Sequence, residues 1–196
     1  MKHKRFGISF TPDYTKITDD LYAAYSFAKY NPLNEANLLA AHRILAKHLL
    51  AEKDLGKYRT QNMFVTTADG KIEYVAIEPQ LVKSEIEKLY QDISSILTTE
   101  LSIEEVFYYA AYIHLVFVKI HPFADGNGRT ARLLEKWFIA EKLGHKAWFL
   151  QNEKHYYNNH QTYYNNLRML GIEYPALDYA KALPFILMSA QGLLVG

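Results

Sequence analysis

Residues 121–132 read His-Pro-Phe-Ala-Asp-Gly-Asn-Gly-Arg-Thr-Ala-Arg, one imidazole, one carboxylate, two glycines and two guanidiniums within twelve positions. Each type has a chemical use. His121 is the group here whose ordinary pKa suits proton transfer near neutrality. Asp125 is a hard oxygen ligand of the kind Mg²⁺ takes when it also holds substrate phosphates. Gly126 and Gly128 allow a ligand close to the backbone and φ values closed to other residues. From Thr130 on, the apolar residues have helical spacing, so the glycine loop opens onto a helix N-terminus, which favours an anion. Arg129 and Arg132 stand three apart and can share a helix face, both reaching phosphate oxygens. Taken singly, each element has a structural explanation: a histidine at a helix end, a Gly-Asn-Gly turn, a solvated Asp–Arg pair. Together, at the mouth of a helix, they describe a phosphate site beside a general base.

The elements that must carry this segment are nearly all helical. Periodicity predicts helices over residues 21–30, with Thr18 as cap, and 35–50, with Asn34 as N-cap. A third, over residues 80–97, follows Pro79. Ser102-Ile-Glu-Glu105 has the form of a capping box and starts a very apolar helix to about Ile120. With so little polar circumference that helix belongs in the centre of a bundle, and it delivers His121 at its C-terminal end. The helix after the glycine loop stops at Gly144. Two more are expected, over residues 152–170 and 177–194, the second kinked at Pro184. The one interruption is residues 63–77, where two β-prone runs flank Asp69-Gly70, the signature of a hairpin. The expected class is therefore mainly α, one domain over residues 1–196 with a single β-hairpin.

Tyr156-Tyr157-Asn158-Asn159 recurs seven residues on as Tyr163-Tyr164-Asn165-Asn166. Seven residues are about two helical turns, so the copies share a face. The plain reading is packing of half-buried tyrosines. His114, inside the apolar helix, reads as a satisfied core residue.

Composition excludes several classes. The 196 residues include 22 basic and 21 acidic side chains, a formal net charge of +1. No general field for nucleic acid or membrane follows from that balance. Cysteine is absent, so disulfide and thiolate chemistry are too. The basic N-terminus lacks the apolar run of a signal peptide, and no apolar stretch is long enough to span a bilayer. A cytoplasmic protein is the expectation.

The twelve-residue segment resembles the signature of the Fic family, His-x-Phe-x-Asp/Glu-Gly-Asn-Gly-Arg-x-x-Arg. His121, Phe123, Asp125, Gly126, Asn127, Gly128, Arg129 and Arg132 fill every fixed position, and the wider likeness runs over about residues 34–164. The resemblance implies a helical bundle whose hairpin is a flap over the active site, holding a target protein segment by strand-like pairing. It implies transfer of AMP from ATP to a Tyr, Thr or Ser hydroxyl. His121 is then the base and Asp125 the Mg²⁺ ligand. Gly126, Gly128, Arg129 and Arg132 receive the phosphates, and Asn127 helps fix the α-phosphate. Relatives often carry a Tyr-Tyr pair near the adenine at this distance, which points to Tyr157, with Asn165 a turn or two later.

Transfer of another nucleotide or phosphate group, or nucleotide binding without catalysis, are the alternatives. The Gly128-Arg129 pairing and Arg132 argue against the phosphate-transferring branch. Many Fic proteins are restrained by a helix bearing Ser/Thr-x-x-x-Glu-Gly/Asn. No Ser or Thr of this chain has Glu at the fourth following position. Two outcomes follow, a separate small antitoxin-like partner that supplies the carboxylate to Arg132 or an unrestrained enzyme, and the first is the expectation.

Overall fold

The computed structural model describes residues 3–5, 8–10, 14–66, 70 and 72–192. Among these the chain forms α1 (Tyr14–Lys29), α2 (Glu35–Leu45), α3 (Pro79–Thr98), α4 (Ile103–Ile120), α5 (Asn127–Leu143), α6 (Asn152–Asn158), α7 (His160–Met169) and α8 (Leu183–Gln191). Two antiparallel hairpins accompany them, β1 (His3–Arg5) with β2 (Ile8–Phe10), and β3 (Phe64–Thr66) with β4 (Ile72–Val75). The mainly α class holds. The expected hairpin is β3–β4, and the additional β1–β2 pair is made of strands of three residues, too short to register in the sequence. The Asp69 turn lies outside the described residues; Gly70 has φ 85°.

The middle of the bundle is α4. Ser102 accepts from Glu105 N while the Glu105 carboxylate accepts from Ser102 N, so the capping box is complete. Ala110, Leu115, Phe117 and Ile120 are fully buried, and α5 and α8 pack along the helix. Small residues on α4 let its neighbours approach, and the apolar area removed from water is the main stabilising contribution. No helix among the described residues is long and apolar enough to cross a membrane.

A polar network lies inside this core. Glu135 of α5 accepts from His114 Nδ1 at 2.6 Å, Ser189 Oγ at 2.5 Å, and Asn152 Nδ2 and Tyr156 Oη at 3.2 Å each. Burial alone would raise the Glu135 pKa, but these donors outweigh it and hold the carboxyl below its ordinary value. Burial lowers His114, so the pair is a carboxylate with a neutral imidazole whose Nε2 accepts from Tyr163 Oη at 3.1 Å. His114 is a satisfied core residue.

Four boundaries differ from expectation. Thr18 is no cap: α1 begins at Tyr14 and the Thr18 hydroxyl bonds back to Tyr14 O at 2.8 Å. Asn34 does cap α2, but the helix ends at Leu45 rather than 50, because Asp20 of α1 holds the following turn through His48 N and Nδ1. The helix expected over residues 152–170 breaks at Asn159, which leaves the helical region at φ −110° and ψ 33° while its amide and its backbone N both donate to His155 O at 3.0 Å. Pro184 makes no kink; it sits in the first turn of α8, where its missing N–H costs nothing.

His114→Phe should leave the Glu135 carboxylate buried and short of its strongest donor. A loss of about 3 kcal/mol is expected, read from the urea midpoint. A change under about 0.5 kcal/mol, the range of an ordinary surface substitution, would remove the network from the stability argument.

Candidate active site

The loop between α4 and α5 is built to turn sharply and stay turned. His121 is the C-cap of α4 in the left-handed region, φ 54° and ψ 61°, the one positive-φ residue other than glycine among those described. Such a conformation persists only when its surroundings over-determine it. Here Arg59, 5% exposed, does so. Its Nε donates to His121 O at 2.7 Å, and Nη2 to Ile120 O at 3.2 Å and Ile77 O at 2.5 Å. Nη1 donates to Gln61 O at 2.7 Å, and the Arg59 backbone N to Pro122 O at 2.8 Å. A cation thus satisfies the orphan carbonyls at the C-terminus of α4, where the helix dipole favours positive charge. The same side chain ties that end to the stem of the β3–β4 hairpin. Nothing in the spacing around Arg59 marks it.

Three further braces follow along the loop. Phe123 is fully buried and its ring stacks on His42 at 3.6 Å between centroids, 9° from parallel. His42 Nδ1 accepts from Gly56 N at 3.1 Å, so Nε2 carries the hydrogen and donates to Asp125 O at 3.0 Å. Burial lowers His42 to a pKa of about 4 and keeps it neutral. Asn127 is 2% exposed. Its Oδ1 accepts from Phe123 N and its Nδ2 donates to Phe123 O, each at 2.8 Å. The Asn127 side chain is thus spent on the loop's own backbone, leaving its N–H for a ligand.

The glycines divide. Gly126, φ 80°, is the N-cap of α5, and a Cβ there would meet Leu45 Cδ2 at 3.2 Å and His42 Nε2 at 3.4 Å. Conformation and space both require glycine. Gly128 is less constrained; its Cβ would meet only Arg132 Nη1, at 3.5 Å. Helix α5 starts at Asn127, three residues earlier than the spacing suggests, so Gly128 and Arg129 belong to its first turn. Thr130 N makes the first intrahelical bond, to Gly126 O. The N–H groups of Asn127, Gly128 and Arg129 precede it and are the ones a helix leaves open to an anion.

Arg129 and Arg132 line a cavity of about 420 Å³ with Leu21, Tyr25, Tyr156, Tyr157, Tyr163 and Tyr164. Two guanidiniums therefore stand beside an aromatic-walled space large enough for a small ligand. Asp125 stands beside Arg129, outside the residues that line the cavity. Its Oδ1 accepts from Gly126 N at 2.6 Å and is 4.0 Å from Arg129 Nη2. Tyr157 is 83% exposed and sits at the rim. Asn165 does not join the site: it is exposed and accepts from Gln161 on its own helix at 3.1 Å. Tyr163 and Tyr164 take that wall, seven residues after Tyr156 and Tyr157. Leu21 and Tyr25 come from α1, where no local pattern announces them.

The His121 ring is pulled to a pKa of about 4, chiefly by burial, and is neutral at physiological pH. Its Nδ1 lies 3.0 Å from Tyr74 Oη of β4 and 3.4 Å from Val118 O. The hairpin is anchored on both sides. Glu73 is buried and pairs with Arg168 of α7 at 2.6 Å, and Val75 N donates to Ile172 O at 2.8 Å. Val75 also bridges Glu173 in parallel, so that end of β4 is not a free edge for strand addition.

A helical bundle with a hairpin over an arginine-bearing helix N-terminus is the Fic architecture, and sequence comparison agrees. The sequence model of the Fic/DOC family matches residues 32–139, and the chain belongs to that family. Protein adenylyltransferase Fic of Nematostella vectensis is 32% identical over 99 residues, 50% of this chain and 21% of that protein. The namesake in Drosophila persimilis is 73% identical over 26 residues, 13% of this chain and 5% of the relative. The chain thus spans a minor part of these relatives. Among solved structures, a Fic family protein from Desulfovibrio desulfuricans G20 superposes with TM-score 0.76 at 24% identity, covering 94% of this chain and 52% of the other. BepC from Bartonella tribocorum, with bound AMPPNP, superposes with TM-score 0.62 at 17% identity, covering 96% and 90%. These likenesses establish the fold.

Arg59→Ala should strip four carbonyls of their donor and release the left-handed turn. The expected cost is about 3 kcal/mol, read as a shift in the denaturant midpoint, with Arg59→Lys recovering only part because one ammonium cannot span four acceptors. Equal stability of the Ala and Lys variants would show that the fork geometry is irrelevant.

Proposed function

We propose that this chain transfers AMP from ATP to a hydroxyl side chain of another protein. The observation that carries the proposal is the juxtaposition at the start of α5: two arginines and open helix N–H groups beside an aromatic cavity, following a neutral histidine held in a braced turn. The adenine occupies the tyrosine-walled space, where ring faces suit a purine. The triphosphate lies against the N–H groups of residues 127–129, with Arg129 and Arg132 offsetting charge on the outer phosphates and on the pyrophosphate as it leaves.

Neutral His121 accepts the proton of a target Tyr, Thr or Ser hydroxyl, whose oxygen then bonds to the α-phosphorus as the bond to the β-phosphate oxygen breaks. The products are an AMP ester of the target and pyrophosphate. Positioning and charge stabilisation supply most of the rate, as is general for phosphoryl-type transfer. The target segment docks at the β3–β4 hairpin, where Phe64 and Ile72 are 60% and 46% exposed.

Mg²⁺ fits this arrangement. No cluster of three or more acidic or histidine ligands occurs among the described residues, but Mg²⁺ is commonly held by one or two carboxylates, water and the substrate's own phosphates. Asp125, half-exposed beside Arg129, is the residue that would hold it, and the ion would supply charge neutralisation of the phosphates.

Restraint in trans remains our reading. The carboxylate that lines the cavity with the two arginines, Glu153, is paired with Lys136 at 2.6 Å.

Incubation with α-labelled and γ-labelled ATP and a cell lysate tests the proposal. Label should pass to protein from the α position alone. His121→Ala should lower that transfer by about 10²–10⁴-fold with ATP binding retained. Transfer from the γ position would replace the proposal with phosphorylation. A His121→Ala enzyme working near the wild-type rate would remove the base.

The pH profile follows from the burial of His121. A base titrates away below its own pKa, so kcat/KM should hold as pH falls through 6.5 and drop only toward 4. A midpoint at 6.5 would mean the ring is solvated during turnover.

A further inference from the structure

Two groups flank Nδ1 of His121, and they differ in what they can do. Val118 O, at 3.4 Å, is a carbonyl and can only accept. Tyr74 Oη, at 3.0 Å, can accept or donate. The arrangement that satisfies both is an Nδ1–H directed at Tyr74 with Val118 O behind it. In a neutral ring that leaves Nε2 with a free lone pair. The opposite assignment, Tyr74 donating to a bare Nδ1, sets two lone pairs against each other at Val118 and puts the hydrogen on Nε2, where it blocks proton uptake.

The phenol is itself held firmly. Tyr74 is 3% exposed, and its ring meets the imidazole edge-on at 5.8 Å and 69°. Lys119, 1% exposed, sets its ammonium 4.7 Å over the Tyr74 ring and donates to Gly171 O at 3.1 Å. On either side of Tyr74 in the strand, Glu73 is clamped by Arg168 and Val75 by Ile172 O. Burial raises the phenol pKa well above its ordinary value, so the group remains a neutral hydrogen-bonding partner. A buried tyrosine braced from four directions with its hydroxyl on one imidazole nitrogen is more than packing requires.

We propose that Tyr74 is a positioning residue that, together with the Val118 carbonyl, accepts from Nδ1–H of His121 and so holds the ring in the tautomer whose Nε2 is free to take a proton. The inference rests on the reading of His121 as the base. It also gives the hairpin a second role, since the strand at which a target docks then holds the group that orients the base. Fixing the tautomer of a histidine through its far nitrogen is how such bases are prepared.

The experiment reads the tautomer directly and needs no substrate. Protein carrying ¹⁵N-histidine is examined by long-range ¹H–¹⁵N correlation, with the His121 ring signals assigned from their absence in His121→Gln. The wild-type ring should show a protonated Nδ1 and a bare Nε2. A protonated Nε2 in wild type overturns the proposal without any variant. In Tyr74→Phe the ring should become a mixture of both tautomers. With MgATP and α-labelled transfer into lysate protein, its kcat should fall roughly tenfold to a hundredfold, the partial loss expected when a base is mis-set rather than removed, with KM for ATP unchanged. An unaltered tautomer in Tyr74→Phe overturns the proposal whatever happens to the rate. Failure of AMP transfer in every sample would instead sink the proposed function, and the ring signals would still decide the tautomer.

Discussion

The geometry of the site depends on one buried cation facing carbonyls and no carboxylate. Arg59 meets four backbone oxygens around the C-terminus of α4 and the hairpin stem, and its backbone N–H meets a fifth, Pro122 O. A charge removed from water is costly unless compensated. Here the compensation is the negative end of a long helix and the unsatisfied carbonyls every helix end leaves. In return the chain can reverse at His121 through a left-handed residue that is not glycine. Without that reversal α5 could not start six residues after His121, with Arg129 and Arg132 turned to the cavity.

The rest of the loop follows the same logic of spending polar groups internally to free others. Phe123, Asn127 and His42 form a dry brace, in which the Asn127 amide pairs with Phe123 backbone and His42 bridges Gly56 and Asp125. Residues with chemical reputations are thereby used as structure. What remains is the set our proposal assigns to a nucleotide: the first N–H groups of α5, two guanidiniums, a half-exposed carboxylate and the Nε2 of His121. A site held this rigidly has little to reorganise at the moment of reaction, which is where electrostatic catalysis gains its advantage.

Three histidines of this region illustrate how environment assigns roles to one side chain. His42 donates through Nε2 and His114 through Nδ1, each with its second nitrogen filled, so both are spent. In His121 one nitrogen is engaged and the other is left. Burial lowers the pKa of all three, so what separates them is the count of partners and not the degree of protonation.

The sequence by itself determined the helical class, the capping box at Ser102, the Asn34 cap, the hairpin and the whole segment from His121 to Arg132. These are local: a cap acts over three residues, a glycine turn over four, a helix face over one or two turns. Tertiary structure alone decided that Arg59, His42 and Tyr74 serve the loop, and that Tyr25 of α1 walls the cavity. Their partners lie dozens of residues away, so no periodicity could record them. Asn165 fell on the wrong side for the same reason. Spacing along an ideal helix put it near the base, but the cavity wall takes Tyr156, Tyr157, Tyr163 and Tyr164, two pairs seven residues apart, while Asn165 bonds Gln161 on its own helix.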